Sequence, residues 1–171
     1  MADAPVLTTE RLVLRAQRME DFEPFAAMLA SERAVYMGGP CSRRKAWLWF
    51  AADTGSWALR NLGGWSVERR EDGAVVGQVA VNQPDFYPEV EIGWMLYPAY
   101  LRSGYALEAA TAARNWAFGP RGLDTLVSYI DPPNARSIHL AERLGAVRDD
   151  EAARPDSNDL VYRHPDPGGS A

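Results

Sequence analysis

The chain has 171 residues, 47% of them hydrophobic, with a net charge of -5 and a pI near 5.1. This length and apolar content suit a single domain with a full core, and the acidic charge argues against nucleic acid or an anionic membrane as a partner. One cysteine, Cys41, excludes an internal disulfide. The two histidines form no cluster at metal-ligand spacing, so we expect no metal.

Residues 1–9 lack the basic and then apolar pattern of a signal peptide. No apolar run approaches the ~20 residues that a membrane-spanning helix needs. We therefore expect one cytoplasmic domain over residues 1–171, with residues 165–171 as a flexible tail. The sequence leaves the oligomeric state open, a homodimer included.

The first third of the chain predicts a strand and two helices. Leu12-Val13-Leu14 is a short strand, and Met19-Glu20-Asp21 opens a helix with apolar residues at helical spacing. After the break at Gly38-Gly39-Pro40, Ser42 can cap a second helix. That helix should end near Asn61-Leu62-Gly63-Gly64, where the small residues begin.

The middle of the chain predicts a hairpin, a strand and a third helix. Residues 65–69 and 74–82 are β-type runs joined by Glu71-Asp72-Gly73, a turn typical of hairpins. Residues 90–96 form the next strand, and Tyr97-Pro98 ends it. A helix should follow Gly104 and run over residues 105–118.

The last third predicts a strand over 123–130, a helix over 134–144 that Gly145 terminates, and two strands at 146–150 and 159–163. The resulting order is β-α-α-β-β-β-α-β-α-β-β. It predicts a mixed α/β fold, with helices packed on a largely antiparallel twisted sheet and one parallel step near the middle.

The segment from Glu91 to Ala106 combines a strand, a proline stop and a small-residue turn that starts a helix. The free N–H groups and the positive dipole end of a helix suit a phosphate. Gly104 lets a bulky anion approach the backbone, and Arg102 adds a positive charge. The alternative is an ordinary helix start in which the glycine only permits tight packing.

This segment resembles the pyrophosphate-binding motif of the GNAT-type N-acetyltransferase superfamily, Gln/Arg-x-x-Gly-x-Gly/Ala. Its surroundings are similar to the ribosomal-protein-alanine acetyltransferase branch. Leu101 departs from the motif, because Gln or Arg usually stands there, and cofactor affinity could be lower. Three more elements match that branch in order: Thr8-Thr9-Glu10-Arg11-Leu12-Val13-Leu14-Arg15, Asn134-Ala135-Arg136-Ser137 with Leu144-Gly145-Ala146, and Tyr162-Arg163-His164-Pro165.

The resemblance implies acetyl-CoA as co-substrate, held in a gap between two splayed strands, residues 90–96 and 123–130. A bulge in the first strand would open this gap, and its backbone would bind the pantetheine arm. A backbone N–H there would also stabilise the oxyanion. The implied cofactor-binding residues are Trp94, Met95, Leu96, Arg102, Ser103, Gly104, Tyr105, Ala106, Asn134 and Ser137.

The resemblance also implies direct attack by an amine on the thioester. Glu91 matches the position of a frequent family base, acting directly or through water, and its alternative role is a solvated or salt-bridged strand residue. Ala141 stands where members often have a tyrosine that protonates the thiolate, which leaves Ser137 for that role. Asn134 and Ser137 could instead only cap the last helix.

The function predicted in this way is acetyl transfer from acetyl-CoA to a primary amine. The acceptor would be the α-amine of a protein N-terminus or a small-molecule amine. The alternative is a non-catalytic acyl-CoA-binding module of the same fold, which Leu101 and Ala141 favour, whereas Glu91, Asn134 and Ser137 favour an enzyme.

Overall fold

A mixed eight-stranded sheet organises the part of the chain that the computed structural model describes, residues 4–169. Its strand order is β1-β2-β3-β4-β5-β6-β8-β7, and every neighbouring pair is antiparallel except β5 and β6. The strands are β1 (Leu7–Thr8), β2 (Leu12–Ala16), β3 (Gly63–Arg69), β4 (Val75–Asn82), β5 (Glu91–Leu96), β6 (Val127–Ile130), β7 (Val147–Arg148) and β8 (Leu160–Arg163).

Four α-helices accompany the sheet: α1 (Phe22–Leu29), α2 (Arg43–Arg60), α3 (Tyr105–Phe118) and α4 (Ala135–Arg143). Short 3-10 turns cover Met19–Asp21, Glu32–Met37 and Pro98–Tyr100. Within residues 4–169, none of the helices has the length and apolar character needed to cross a bilayer. The predicted fold class, helices on a largely antiparallel sheet, is confirmed.

Several predicted boundaries follow from local chemistry. The Ser42 hydroxyl accepts a hydrogen bond from the backbone N–H of Lys45 at 3.2 Å and caps α2. Asn61 adopts the left-handed conformation that ends α2, with a φ of 53°. Gly145 ends α4 at a φ of 83°, and the N–H of Ala146 returns to the carbonyl of Ala141.

The structure differs from the predicted elements at several points. Strand β1 was not predicted, because two residues are too few for a periodic pattern. The helix expected from Met19 begins as a 3-10 turn, and α1 starts at Phe22. The strand expected over 123–130 is β6 alone, since the N–H of Leu123 bonds to the carbonyl of Ala117 and closes the turn after α3.

Each face of the sheet packs against its own core cluster, and α2 contributes to both clusters. One core cluster joins α3 to the sheet and includes Trp57, Trp65 and Trp116, whose rings meet edge to face. A second cluster joins α1 and α2 to Met95. Side chains of β5 alternate between these clusters, so its odd and even positions serve different compartments.

Candidate active site

Strands β5 and β6 diverge almost as soon as they meet. Their pairing holds only at Glu91 and Val127, where the N–H of Val127 donates to the carbonyl of Val90 at 3.0 Å. Beyond that point the hydroxyl of Ser128 donates to the carbonyl of Ile92 at 2.7 Å. A side chain thus replaces the next ladder bond, and the strands open into a cleft.

The predicted bulge in this strand is absent from the β4–β5 ladder. That ladder runs without a register shift from Asn82 and Glu91 to Gly77 and Leu96. The irregular step in the sheet lies between Val67 and Glu68 of β3. The splay therefore comes from side-chain bonds and from the short pairing of β6, not from an extra residue in the β4–β5 ladder.

The open edge of β5 supplies backbone groups to the cleft. Because strand peptides alternate and the carbonyls of Val90 and Ile92 face β6, those of Trp94 and Leu96 face the same way. Met95 pairs with Gln78 of β4, and its side chain is buried in the α1–α2 cluster. Of the three predicted strand residues, Trp94 and Leu96 line the cleft through their backbone.

Glu91 lies half-buried at the mouth of the splay, on the α1–α2 side of the sheet. Removal of water, with smaller contributions from the negative charges of Asp53 and Asp159, raises the pKa of its carboxyl to about 8. A hydrogen bond from the backbone N–H of Tyr129 opposes this shift. A carboxyl that is more basic than usual therefore lies next to the opening.

Asp53 of α2 is a buried carboxyl that sequence reasoning missed. Its oxygens accept from Nε2 of Gln78 at 2.6 Å and from Nδ2 of Asn82 at 3.0 Å. Burial raises its pKa to about 6, while the two amides lower it. The available signal was an acidic residue on an otherwise apolar helix face, but its partners lie on β4 and only the fold joins them.

The Gly104 turn stands at the start of α3, as predicted. Gly104 has a φ of 79° and caps the helix without a side-chain hydrogen bond, so the first N–H groups stay available. A Cβ built on it would meet only Arg11 Nη2, at 3.4 Å. Arg102 and Ser103 beside it are exposed, Ala106 is half-buried, and the ring of Tyr105 is buried beneath the turn.

Arg11 is a second residue that sequence reasoning did not assign to the site. Its Nη1 donates to the carbonyl of Ser103 at 2.9 Å, and its guanidinium lies 4.7 Å from the centre of the Tyr105 ring. Glu108 of α3 pairs with it at 2.7 Å. Arg11 therefore fixes the turn, and Glu108 balances its charge. The Thr8–Arg15 motif contained Arg11, but its spacing gave no role.

Asn134 and Ser137 meet at the start of α4, across the cleft from β5. The Asn134 carbonyl oxygen accepts from the N–H of Ser137 at 3.2 Å, which is the predicted cap. Asn134 Nδ2 also donates to Ser137 Oγ at 3.0 Å, and the indole N–H of Trp94 donates to the same oxygen at 3.3 Å. The cap and a place beside the cleft are thus compatible.

Leu101 and Ala141 are the two positions at which the sequence departs from the family pattern. Leu101 is half-buried and ends the 3-10 turn that precedes the Gly104 loop. Ala141 is fully buried among Ile130, Ala146 and Tyr162 under α4. No tyrosine hydroxyl enters the cleft from the Ala141 position, so Ser137 is the hydroxyl that α4 presents toward Trp94.

Through residues 4–169, no three His, Cys, Asp or Glu side chains converge in a way that could hold a metal ion. Among the described residues, Asp53 and Glu91 have no basic partner: Asp53 binds the side-chain amides of Gln78 and Asn82, and Glu91 has the backbone N–H of Tyr129. The chemistry that the site offers is therefore a carboxylate base on one side, a hydroxyl on the other, and backbone groups between them.

The splayed parallel pair and the free helix start after Gly104 form the arrangement that the sequence resemblance led us to expect of an acyltransferase. The model of the acetyltransferase (GNAT) domain matches residues 11–147. The chain belongs to the GNAT acetyltransferase family, whose members use acetyl-CoA.

Known proteins similar to this chain support the same assignment. An acetyltransferase from Agrobacterium tumefaciens has 42% identity, a TM-score of 0.91 and 94% coverage of both chains. YkkB of Bacillus subtilis is 30% identical over 148 residues, covering 81% of this chain and 83% of YkkB. Spermidine N-acetyltransferase from Vibrio cholerae, solved with CoA and spermine, shares only the fold: 17% identity, TM-score 0.71, covering 91% of this chain and 94% of that one.

Proposed function

We propose that this acyltransferase moves the acetyl group of acetyl-CoA to a primary amine, either the α-amine of a peptide or a small-molecule amine. The observation that carries the proposal is the placement of Glu91 and Ser137 on opposite sides of one cleft. Glu91 faces the α1–α2 compartment, and Ser137 contacts Trp94 on the α4 side. Donor and acceptor would then enter from opposite faces of the sheet and meet at the splay.

The described residues fit acetyl-CoA as donor. The φ of 79° and the missing Cβ at Gly104 leave the helix start accessible, Arg102 adds positive charge for a pyrophosphate, and Arg11 holds the turn in place. Leu101 removes one side-chain contact, but backbone N–H groups can hold the phosphates without it. The open backbone of Trp94 and Leu96, with Asn134, would hold the pantetheine amides, while Ser103, Tyr105 and Ala106 complete the turn.

The proton balance assigns a task to each side of the cleft. An ammonium acceptor brings three protons: one remains on the amide product, one passes to Glu91 and then to water, and one reaches the sulfur. The amine lone pair forms the C–N bond, and the sulfur leaves with the electrons of the C–S bond. Ser137 donates a hydrogen bond to that sulfur, and the backbone N–H of Trp94 faces the developing oxyanion.

The basicity of Glu91 favours an acceptor with a matching pKa. The pKa of about 8 of this carboxyl matches that of an α-amine, which is roughly 7.7–8.0. Proton transfer between the two groups therefore has a free energy near zero. A lysine amine near 10.4 would lie roughly 2.4 units higher, a cost of roughly 3.3 kcal/mol. The ribosomal-protein branch, whose acceptor is such an α-amine, stays a prediction carried by its sequence motifs.

The test is thiol release from acetyl-CoA in the presence of a panel of peptides and small amines. We expect release that depends on the amine and saturates with it, faster for α-amines than for lysine side chains. The competing function is an acyl-CoA-binding module without turnover. Tight acetyl-CoA binding with no amine-dependent release across the panel would establish that alternative instead.

A further inference from the structure

The hydroxyl of Ser137 has both of its acceptor positions directed at neighbours. The carbonyl oxygen of Asn134 is committed to the backbone N–H of Ser137, so the other end of that amide must be its NH₂ group. That NH₂ group donates to Ser137 Oγ at 3.0 Å, and the indole N–H of Trp94 donates to it at 3.3 Å. An indole nitrogen can only donate, so neither partner can accept the serine proton.

Within residues 4–169, no group accepts a hydrogen bond from the Ser137 hydroxyl. With two donors on its oxygen, the O–H bond must point away from both Asn134 and Trp94. Two such donors also polarise the O–H bond and make the hydroxyl a better donor. The remaining proton is therefore the group that Ser137 can offer to a ligand in the cleft.

The indole of Trp94 is itself held in place from behind. The ring of His164 meets it edge to face, with 6.3 Å between ring centres and an angle of 88°. Ser128 donates to the carbonyl of Ile92, so His164 Nε2 must be the donor in its 2.9 Å contact with Ser128 Oγ. Both residues are buried, at 2% and 4% exposure, which keeps this support rigid.

We propose that Trp94 is a positioning residue, whose indole N–H orients the Ser137 hydroxyl so that its proton meets the sulfur of the departing thiolate. The proposal rests on the function proposed above. Trp94 touches the reaction through its backbone, but its side chain acts only through Ser137. The thiolate keeps the electron pair of the broken C–S bond, and the oriented hydroxyl stabilises that charge by a hydrogen bond.

The test is a double-mutant cycle with Trp94→Phe and Ser137→Ala. Phenylalanine keeps a ring against His164 but removes the N–H, so we expect kcat to fall about tenfold, in line with the loss of one hydrogen bond to a polar group. The KM for acetyl-CoA should stay within twofold. In the Ser137→Ala background the same change should have almost no further effect on kcat, because the group it orients is gone.

The controls separate positioning from damage to the fold. Ser137→Thr keeps a hydroxyl and should restore sensitivity to Trp94→Phe. Trp47→Phe removes an indole N–H from a side chain that is 43% exposed on α2 and packs on Phe22, and it should leave kcat unchanged. Thermal melting and CoA titration of each variant would report whether it remains folded and competent to bind.

Each outcome decides the matter. Non-additive effects on kcat support the positioning role of Trp94. Additive effects, or a Trp94→Phe variant with wild-type kcat, overturn it, even though wild-type turnover would still support the proposed function. A wild-type protein that binds CoA but releases none with any amine overturns the proposed function itself, and the positioning role with it.

Discussion

The surroundings of Glu91 change the pKa of its carboxyl strongly. Burial raises the pKa of its carboxyl to about 8, whereas the ordinary value is 4.5. A base acts only in its charged form, so the contribution of Glu91 to the rate should grow as pH rises through about 8. The rate ratio of wild type to Glu91→Gln, with one amine throughout, cancels the ionisation of that amine.

We expect this ratio to rise about thirtyfold between pH 6.5 and 9, because the charged fraction of Glu91 increases by about that factor. Stability should move in the opposite sense. A folded-state pKa above the unfolded value stabilises the fold below the unfolded pKa, and that contribution is lost as pH rises through about 8. Wild type should therefore lose stability relative to Glu91→Gln from pH 5 to 9. A flat rate ratio would remove Glu91 as the base.

Gly104 allows a second test at the residue scale. Gly104→Ala places a Cβ beside Arg11 and forces a non-glycine residue to a φ of 79°, at a cost of about 1–2 kcal/mol. Gly122 has a φ of 68° with open space around it, so Gly122→Ala is the matched control. Both variants should lose similar stability on thermal melting, but only Gly104→Ala should weaken CoA binding, by about tenfold in a calorimetric titration. Equal CoA affinity of the two variants would contradict a role of Gly104 in cofactor binding.

At the scale of elements, the cleft depends on how β5 and β6 part. Ser128 joins the strands through the carbonyl of Ile92 and accepts from His164 on its other side. Burial and the charge of Arg114 lower the pKa of His164 to about 4, so the ring is neutral near pH 7. The pair thus supplies hydrogen bonds without placing a charge beside the cofactor.

Ser128→Ala should leave the Ile92 carbonyl and the His164 N–H without partners in a buried place. The expected loss of stability is about 1–3 kcal/mol, measured by denaturant unfolding. Because the strand separation also sets the cleft, the KM for acetyl-CoA should rise several-fold. Ser128→Thr keeps the hydroxyl on a β-branched residue that suits a strand, and it should retain most of both properties. If Ser128→Ala kept the stability and the KM of the wild type, the separation of the strands would not depend on Ser128 and His164.

At the scale of the whole molecule, most of the fold could be predicted from the sequence, because most elements have local signals. Ser42 begins α2 through its side-chain hydroxyl, Gly145 ends α4 through its positive φ, and the hairpin follows from its Asp-Gly turn at Gly73. The length of β6 could not be predicted, since it depends on where β5 diverges. The two-residue strand β1 has no period to detect.

Some residues of the candidate site could likewise be predicted from the sequence, whereas others are brought together only by the fold. Gly104, Glu91 and the Asn134–Ser137 cap lie within motifs, so sequence order alone could nominate them. Asp53 is 25 residues from Gln78, and Arg11 is 97 residues from Glu108, so their roles exist only after folding. Ser128 and His164 are likewise 36 residues apart, and nothing near either one indicated the contact.

The central claim is transfer of an acetyl group to an amine, and a count of products tests it most directly. Wild-type protein, acetyl-CoA and an α-amine peptide would be incubated, with free CoA and acetylated peptide measured in the same samples. The account predicts one acetylated amine for each CoA released, at a rate that depends on the peptide. Acetyl-CoA binding without either product, or CoA release without acetylated peptide, would contradict it.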